Sequence, residues 1–175
     1  MTVNILPGAI RSRGRVLRTA LFRFANSQAM CSQFKVDIMN GLHAFGSSVV
    51  RGATTKDSYK AALYLASASR GAGDTIYSAT GEVSGTGYSA GGVAVTTGTA
   101  PTLSGTTAIF TPSASIVYTT VTLTTAFDAV LIYNDTSATK LAVSVHTFGS
   151  QTVTAGTFTL TMPVNDASNA LIRIA

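Results

Sequence analysis

The alternation of apolar and polar residues predicts β-strands through most of the second half of the chain. At residues 157–163, Phe, Leu and Met alternate with three threonines, so one face of a strand there is expected to be buried and the other exposed. Residues 116–125 are almost all β-branched or aromatic, which also favours a strand. The apolar register of this strand shifts between Tyr118 and Val121, as a β-bulge would cause.

Further segments carry shorter strand patterns, and these are residues 59–65, 93–97, 130–133, 141–146 and 171–174. The run at 130–133 consists of large apolar and aromatic residues and predicts a buried central strand. Residues 59–65 fit either a strand or a helix by periodicity, and the turn-forming residues that follow them favour the strand. The last segment is expected to lie at the edge of a sheet.

Short strands separated by clusters of Gly, Ser, Asn and Pro, with no helical pattern between them, indicate an all-β protein. We expect residues 34–175 to form an antiparallel β-sandwich, jelly-roll-like or Ig-like, with a small β-barrel as the alternative. The pattern of residues 34–45 predicts a short helix or an irregular connecting segment that ends at Gly41 or Gly46. Residues 1–33 form a separate N-terminal arm, extended or with a short helix.

A glycine-rich stretch at residues 81–92, called the glycine loop below, separates two of the predicted strands. It contains five glycines and one tyrosine, and Glu82 within it is the only glutamate of the chain. Glycine tolerates positive φ and lets another segment approach closely, so the loop is expected to be tight and specifically shaped. A phosphate-binding loop would need a helix after it, whereas strand-forming residues follow here. The residues expected to shape this structural loop are Gly85, Gly87, Tyr88 and Gly91.

Charged residues make up only 11% of the chain, and Thr, Ser, Ala and Gly dominate its composition. Such a surface suits a protein that packs against identical copies of itself, because few charges lose their hydration. Positive charge is concentrated at the start, since residues 1–60 hold nine Lys or Arg and only two Asp. The arm at residues 1–33 has no acidic residue. Its arginines are Arg11, Arg13, Arg15, Arg18 and Arg23.

The basic arm is expected to lie along a partner surface that carries carboxylates, since the guanidinium group binds a carboxylate through two parallel bonds. DNA phosphates are an alternative partner. Phe22 and Phe24 could stack on bases, but the first thirty residues offer no other aromatic side chain, so a protein surface is favoured over nucleic acid. An acid-free, arginine-rich start also resembles an organelle transit peptide.

Residues that could support catalysis or metal binding are few. The chain has one cysteine, Cys31, and two histidines, His43 and His146, without clustered acidic residues around them. This inventory predicts no metal site, no cofactor and no enzymatic activity. No apolar run approaches the ~20 residues that a membrane-spanning helix needs, so no membrane association is expected.

The run Glu-Val-Ser-Gly-Thr-Gly-Tyr-Ser-Ala-Gly-Gly, which begins at Glu82, resembles the signature of a family of small virion structural proteins of tailed bacteriophages, similar to head decoration or cement proteins. Further elements of that pattern recur in order at residues 34–43, 59–64, 133–136 and 172–175. The resemblance covers residues 34–175 and leaves the arm outside. It implies a non-enzymatic particle component and does not distinguish head from tail.

Together these features favour a capsid decoration protein of the phage head. Its expected partners are the major capsid protein, bound through the arm, and further copies of the chain in a homotrimer at the symmetry axes of the head. The alternative is a tail or head-fibre component that contacts host-surface carbohydrate. For that role Tyr77, Tyr88 and Tyr133 are the candidate sugar-binding residues.

Overall fold

The computed structural model describes residues 36, 38–41 and 57–175 of the 175-residue chain. The predictions for the arm at residues 1–33, its five arginines included, fall outside these residues. Those for Cys31 and His43 do so as well.

In residues 57–175, seven strands form two antiparallel sheets that make an all-β sandwich. The strands are β1 (Tyr59–Leu65), β2 (Val93–Val95), β3 (Thr102–Ser104), β4 (Thr107–Phe110), β5 (Ile116–Asn134), β6 (Ala142–Leu160) and β7 (Ile172–Ile174). One sheet has the order β2-β1-β5-β6 and the other β3-β4-β7. Within the described residues each sheet keeps two open edges, so the sandwich is confirmed and the small barrel is not.

The hairpin of β5 and β6 is the largest element of the fold, because each strand is 19 residues long. The segments predicted at 116–125 and 130–133 are both parts of β5. Those at 141–146 and 157–163 fall largely within β6, so the prediction of separate short strands was wrong here. Bulges and register shifts between the paired strands absorb the breaks in the apolar pattern that suggested separate elements.

One of these register shifts lies between Tyr118 and Val121, where the sequence predicted a bulge. Thr120 within it has a φ of 53°, which is unusual for a residue other than glycine. A second residue of this kind, Ala155 with a φ of 45°, lies in β6. The bulged part of the hairpin lies beyond the end of β1, whose Leu65 pairs with Phe127.

Both faces of the four-stranded sheet are buried along β1 and the second half of β5. Leu63 and Ile132 belong to an apolar cluster on one face, while Leu131 and Tyr133 belong to a second cluster on the other. Successive residues of a strand point to opposite faces, so burial on both sides requires the continuous apolar run seen at 130–133. The predicted buried central strand is therefore confirmed as one part of β5.

The shorter strands and the helical segment agree in part with the predictions made from the sequence. β1 and β2 lie where strands were predicted, and β7 is an edge strand of the three-stranded sheet, as expected. Helical residues near Val36 end at Gly41, which has a φ of 71° and donates its N–H to the carbonyl of Ile38. The hairpin of β3 and β4 was not predicted, because strands of three and four residues are too short to show a periodicity.

Candidate functional site

The glycine loop begins as an addition to the outer edge of β1. Leu65 donates its N–H to the carbonyl of Gly81 (2.9 Å), and Val83 donates its N–H to the carbonyl of Leu63 (3.0 Å). These bonds make an isolated antiparallel bridge between Tyr64 and Glu82. The side chain of Glu82 is thereby fixed beside the aromatic residues of the sheet.

The loop then reaches β5 beyond the end of β1. Thr122 of β5 donates its N–H to the carbonyl of Thr86 (2.8 Å). A Cβ added to Gly85 would lie 2.0 Å from the carbonyl oxygen of Thr122, and one added to Gly87 would lie 2.3 Å from that of Thr120. Gly87 also has a φ of 79°. The predicted tight loop is confirmed. At Gly85 the close approach of β5 leaves no room for a side chain, and at Gly87 both this approach and the positive φ favour glycine.

Glu82 accepts three hydrogen bonds through its carboxylate. The hydroxyl of Tyr77 donates to Oε2 (2.6 Å), while the hydroxyl of Tyr88 and the N–H of Gly91 donate to Oε1 (both 2.7 Å). We call Glu82, Tyr77, Tyr88 and Gly91 the Glu82 cluster. Hydrogen bonds to an ionised acceptor are about twice as strong as neutral ones, so the cluster closes the glycine loop on itself.

The Glu82 cluster is also tied to the sheet. The hydroxyl of Tyr88 accepts a hydrogen bond from the N–H of Leu63 (3.0 Å), and its ring stacks on that of Tyr118 with 6.0 Å between centroids. Tyr118 in turn donates its hydroxyl to the carbonyl of Ala61 (2.8 Å). Tyr88 is thus anchored as the sequence predicted, by bonds to the loop and to β1 together.

A second tyrosine pair holds the far end of the loop. The hydroxyl of Tyr133 donates to the carbonyl of Gly91 (2.8 Å), and the rings of Tyr77 and Tyr133 stack with 4.8 Å between centroids. Gly91 therefore donates to Glu82 and accepts from Tyr133, which explains its place among the predicted loop residues. Both of its backbone polar groups are bonded in a buried position, as burial requires.

The carbohydrate-contact role suggested for Tyr77, Tyr88 and Tyr133 finds no support in this arrangement. Tyr133 is only 1% exposed, and the hydroxyls of the other two are bonded to Glu82. A sugar platform needs a free ring face, and one face of Tyr77 and one face of Tyr88 are covered by another tyrosine. These side chains stabilise the loop instead.

The Glu82 cluster was not predicted from the sequence. The available signal was weak: the only glutamate has a tyrosine five residues before it and another six after it. Their convergence depends on the reversal of the chain around Glu82 and on the docking of the loop, which no local pattern encodes.

Burial changes the ionisation of the tyrosines. All six have a raised pKa, with burial as the largest cause in each, and they are Tyr59, Tyr64, Tyr77, Tyr88, Tyr118 and Tyr133. The hydrogen bond to Glu82 further raises the pKa of Tyr77 and of Tyr88. For Tyr133 the pKa rises to about 12. The fold thus favours neutral phenols.

Other polar side chains of the described region form small separate groups. Lys140 and Lys60 both pair with Asp135 and lower the pKa of that carboxyl. Arg70 pairs with Asp74 (3.2 Å) and lies over the ring of Tyr64 at 4.8 Å from its centroid. These groups join the loops to the sheet and do not converge on a common point.

His146 is half-buried beside Ser144, whose hydroxyl lies 2.9 Å from its Nε2, and burial lowers the pKa of the imidazole. In residues 36, 38–41 and 57–175, no three or more His, Cys, Asp or Glu side chains come close enough to hold a metal ion.

A cleft beside Asp74 and Ser144 has a volume of about 70 Å³. Small-molecule sites usually enclose about 300–1,000 Å³, so this cleft is too small for a sugar or a cofactor.

No helix in the described part of the chain is long and apolar enough to cross a membrane.

The chain matches no protein-family model, no curated protein and no solved structure. The similarity to phage virion proteins therefore stays a prediction that rests on its sequence motifs.

Replacement of Gly85 or Gly87 by valine should lower the free energy of unfolding by more than about 2 kcal/mol, because the new side chain would overlap the backbone of β5. Gly73→Val is the matched control, since nothing lies within 4 Å of a Cβ there. It should change stability by less than about 1 kcal/mol. Urea denaturation measures all three, and equal stability of the three variants would show that the loop does not need its glycines.

Tyr77→Phe should lower the free energy of unfolding by about 1.5–3 kcal/mol, because one hydrogen bond to the Glu82 carboxylate is lost. Tyr88→Phe should cost more, since it also leaves the N–H of Leu63 without its acceptor. In Tyr59→Phe, the control, the hydroxyl removed has no hydrogen-bond partner in the described residues. A larger loss in Tyr77→Phe than in Tyr88→Phe, measured by thermal unfolding, would contradict the geometry.

Stability should fall as the pH rises above 10, the ordinary pKa of tyrosine. The unfolded chain loses its phenolic protons there, whereas the folded chain keeps them because its tyrosine pKa values are raised; for Tyr133 this stabilisation is lost as the pH passes about 12. Tyrosinate absorbance and circular dichroism should therefore change together in an alkaline titration. Phenol ionisation near pH 10 with an unchanged dichroism spectrum would count against the buried tyrosine network.

Proposed function

We propose that this chain is a non-enzymatic structural component of a phage virion, a decoration or cement protein that binds the lattice of the major capsid protein and stabilises the head. The observation that carries the proposal is the exposed face of the β5–β6 hairpin. The exposed threonines of this hairpin include Thr119, Thr124, Thr125, Thr157 and Thr159. No Asp, Glu, Lys or Arg occurs in β6, and β5 has a single such residue, Asp128.

Neighbouring protein can cover such a surface while removing water from few charges, a step that is expensive unless each charge finds a partner. The motif resemblance to virion proteins supports the same conclusion. The Glu82 cluster adds to it, because the groups that could serve chemistry or sugar binding instead hold the loop together. The fibre alternative has no comparable observation in its favour.

The arm supplies the proposed contact with the capsid. Three of the six carboxylate side chains in the described sandwich are already engaged: Asp74 pairs with Arg70, Asp135 with two lysines, and Glu82 is bonded inside the loop. An arm that carries five arginines and no acid is therefore better matched to acidic groups on another protein. Self-association as a trimer stays a prediction from the resemblance.

Deletion of residues 1–33 should leave the sandwich folded and abolish or sharply weaken binding to phage heads that lack the protein. Each of Arg15→Ala, Arg18→Ala and Arg23→Ala should weaken binding about 10- to 100-fold, the equivalent of one charge-assisted hydrogen bond. Arg173→Ala, which removes an exposed arginine from the sandwich, should bind as the parent does. Co-sedimentation with heads measures the binding, and higher salt should weaken it.

Full-affinity binding of the truncated protein would refute the anchoring role of the arm. A shift of duplex DNA by the isolated arm at physiological salt would instead favour nucleic acid as its partner. Cryo-electron microscopy of purified particles tests the location. Density on the tail, or a protein found in infected-cell lysate but never in particles, would remove the head decoration role.

A further inference from the structure

The outer edge of β6 is open in a way that natural sheets usually prevent. β6 is the last strand of the order β2-β1-β5-β6. Its first residue, Ala142, donates its N–H to the carbonyl of Thr75 beside an isolated bridge between Ile76 and Leu141, and no described strand pairs with the rest of its outer side. Proteins commonly protect a long edge with charged side chains, especially lysine, or with proline. β6 has neither over its 19 residues.

Part of this edge is protected by its irregularity. The pairing with β5 changes register between Tyr118 and Ala129, which covers the middle of β6, and once more near its start. Bulges twist an edge away from flat pairing, so that stretch is a poor template for another strand. The end of β6 is different, because Phe158, Thr159 and Leu160 pair with β5 in one unbroken register.

The regular end of β6 also has a two-sided pattern. Thr157 and Thr159 are exposed on one face, while Phe158 and Leu160 are half-buried against the core on the other. Phe158 lies 5.0 Å from Phe127 between ring centroids, so its position is set by the core. A strand added at this edge would meet threonines on one face of the sheet and apolar side chains on the other.

We propose that two copies of this chain pair edge to edge through residues 157–161, antiparallel about a two-fold axis at Thr159. In an antiparallel pair, directly opposite residues lie on the same face of the sheet. A register centred on Thr159 places threonine against threonine, and Phe158 of each copy against Leu160 of the other. A shift by one residue would set apolar side chains against threonines and is disfavoured.

A second copy fits this edge better than a different protein does, because the segment is self-complementary. Neither copy brings a charge to the contact, whereas a charged strand from another protein would find no counter-charge along β6. The pairing would join two four-stranded sheets into one of eight strands and cover the partly open side of Phe158. This two-fold contact is separate from the three-fold contact of the predicted trimer. Its use between neighbouring copies on a phage head rests on the proposed function.

The decisive experiment is a disulfide cross-link in the free, full-length protein. In a Cys31→Ser background, Thr159→Cys should form covalent dimers under mild oxidation, because opposite Cα atoms in antiparallel strands lie about 4.5–5.5 Å apart, within disulfide range. Thr119→Cys is the matched control. It replaces an exposed threonine of the neighbouring β5, which β6 separates from the edge, and should stay uncross-linked.

A second measurement uses charge. Thr157→Lys combined with Thr159→Lys should lower the solution mass by separating the paired copies, while Thr119→Lys should leave the mass of the parent unchanged. Melting curves verify that every variant is folded. The proposal is overturned if Thr159→Cys does not cross-link in free protein, if it cross-links no better than Thr119→Cys, or if it does so only on phage heads, because the head lattice and not the strand edge would then bring the copies together.

The head decoration role and the edge-to-edge pairing can be refuted independently of each other. A protein that cross-links at position 159 but never enters particles would remove the virion role and leave the pairing intact. A protein that decorates heads without this cross-link would remove the pairing and leave the virion role.

Discussion

The half-buried carboxylate of Glu82 is the interaction on which the arrangement of the loops depends. It accepts from two tyrosine hydroxyls and one backbone N–H, and it lies where the chain returns to the edge of β1. Removal of a carboxylate from water is expensive unless such donors replace the water. Because the donors come from both sides of Glu82 in the sequence, their bonds close residues 77–91 into one unit.

That unit completes the sheet beside β5. β1 ends at Leu65, opposite Phe127, and would leave the first half of β5 without a neighbour on that side. The segment around Thr86 takes this place and binds the N–H of Thr122. The glycines let the two backbones approach closely, and the bulge at Thr120 shapes β5 to receive them. A 19-residue strand is thereby flanked on one side by β6 and on the other by β1 and then the loop.

This use of polar groups has a consequence for the surface. The only glutamate and five of the six tyrosine hydroxyls bond inside the fold, and the described ion pairs fasten loops at its margins. What faces outward along β5 and β6 is mostly threonine and serine, with no charge on β6. Such an exterior fits the proposed contacts with neighbouring protein through the arm and at the open strand edge.

The sequence by itself determined the features that arise from residues close together in the chain. Alternation of Thr with Phe, Leu and Met indicated a half-buried strand, the run at 130–133 indicated burial on two faces, and the glycines of the loop indicated a tight backbone. Even the bulge after Tyr118 was visible, because an extra residue shifts the apolar register. The all-β sandwich followed from these patterns, since sheets with one apolar face must pack against another layer.

Only the tertiary structure decided which of these elements belong together. One strand, β5, contains both 116–125 and 130–133 because both segments pair with β6. This pairing accommodates bulges that interrupt the apolar pattern of the sequence. The Glu82 cluster depends on a chain reversal that brings Tyr77 and Tyr88 to the same carboxylate, and the need for glycine at position 85 comes from a carbonyl 37 residues away, that of Thr122. These are contacts between distant segments, so their physical causes lie in the folded geometry and leave little trace in local composition.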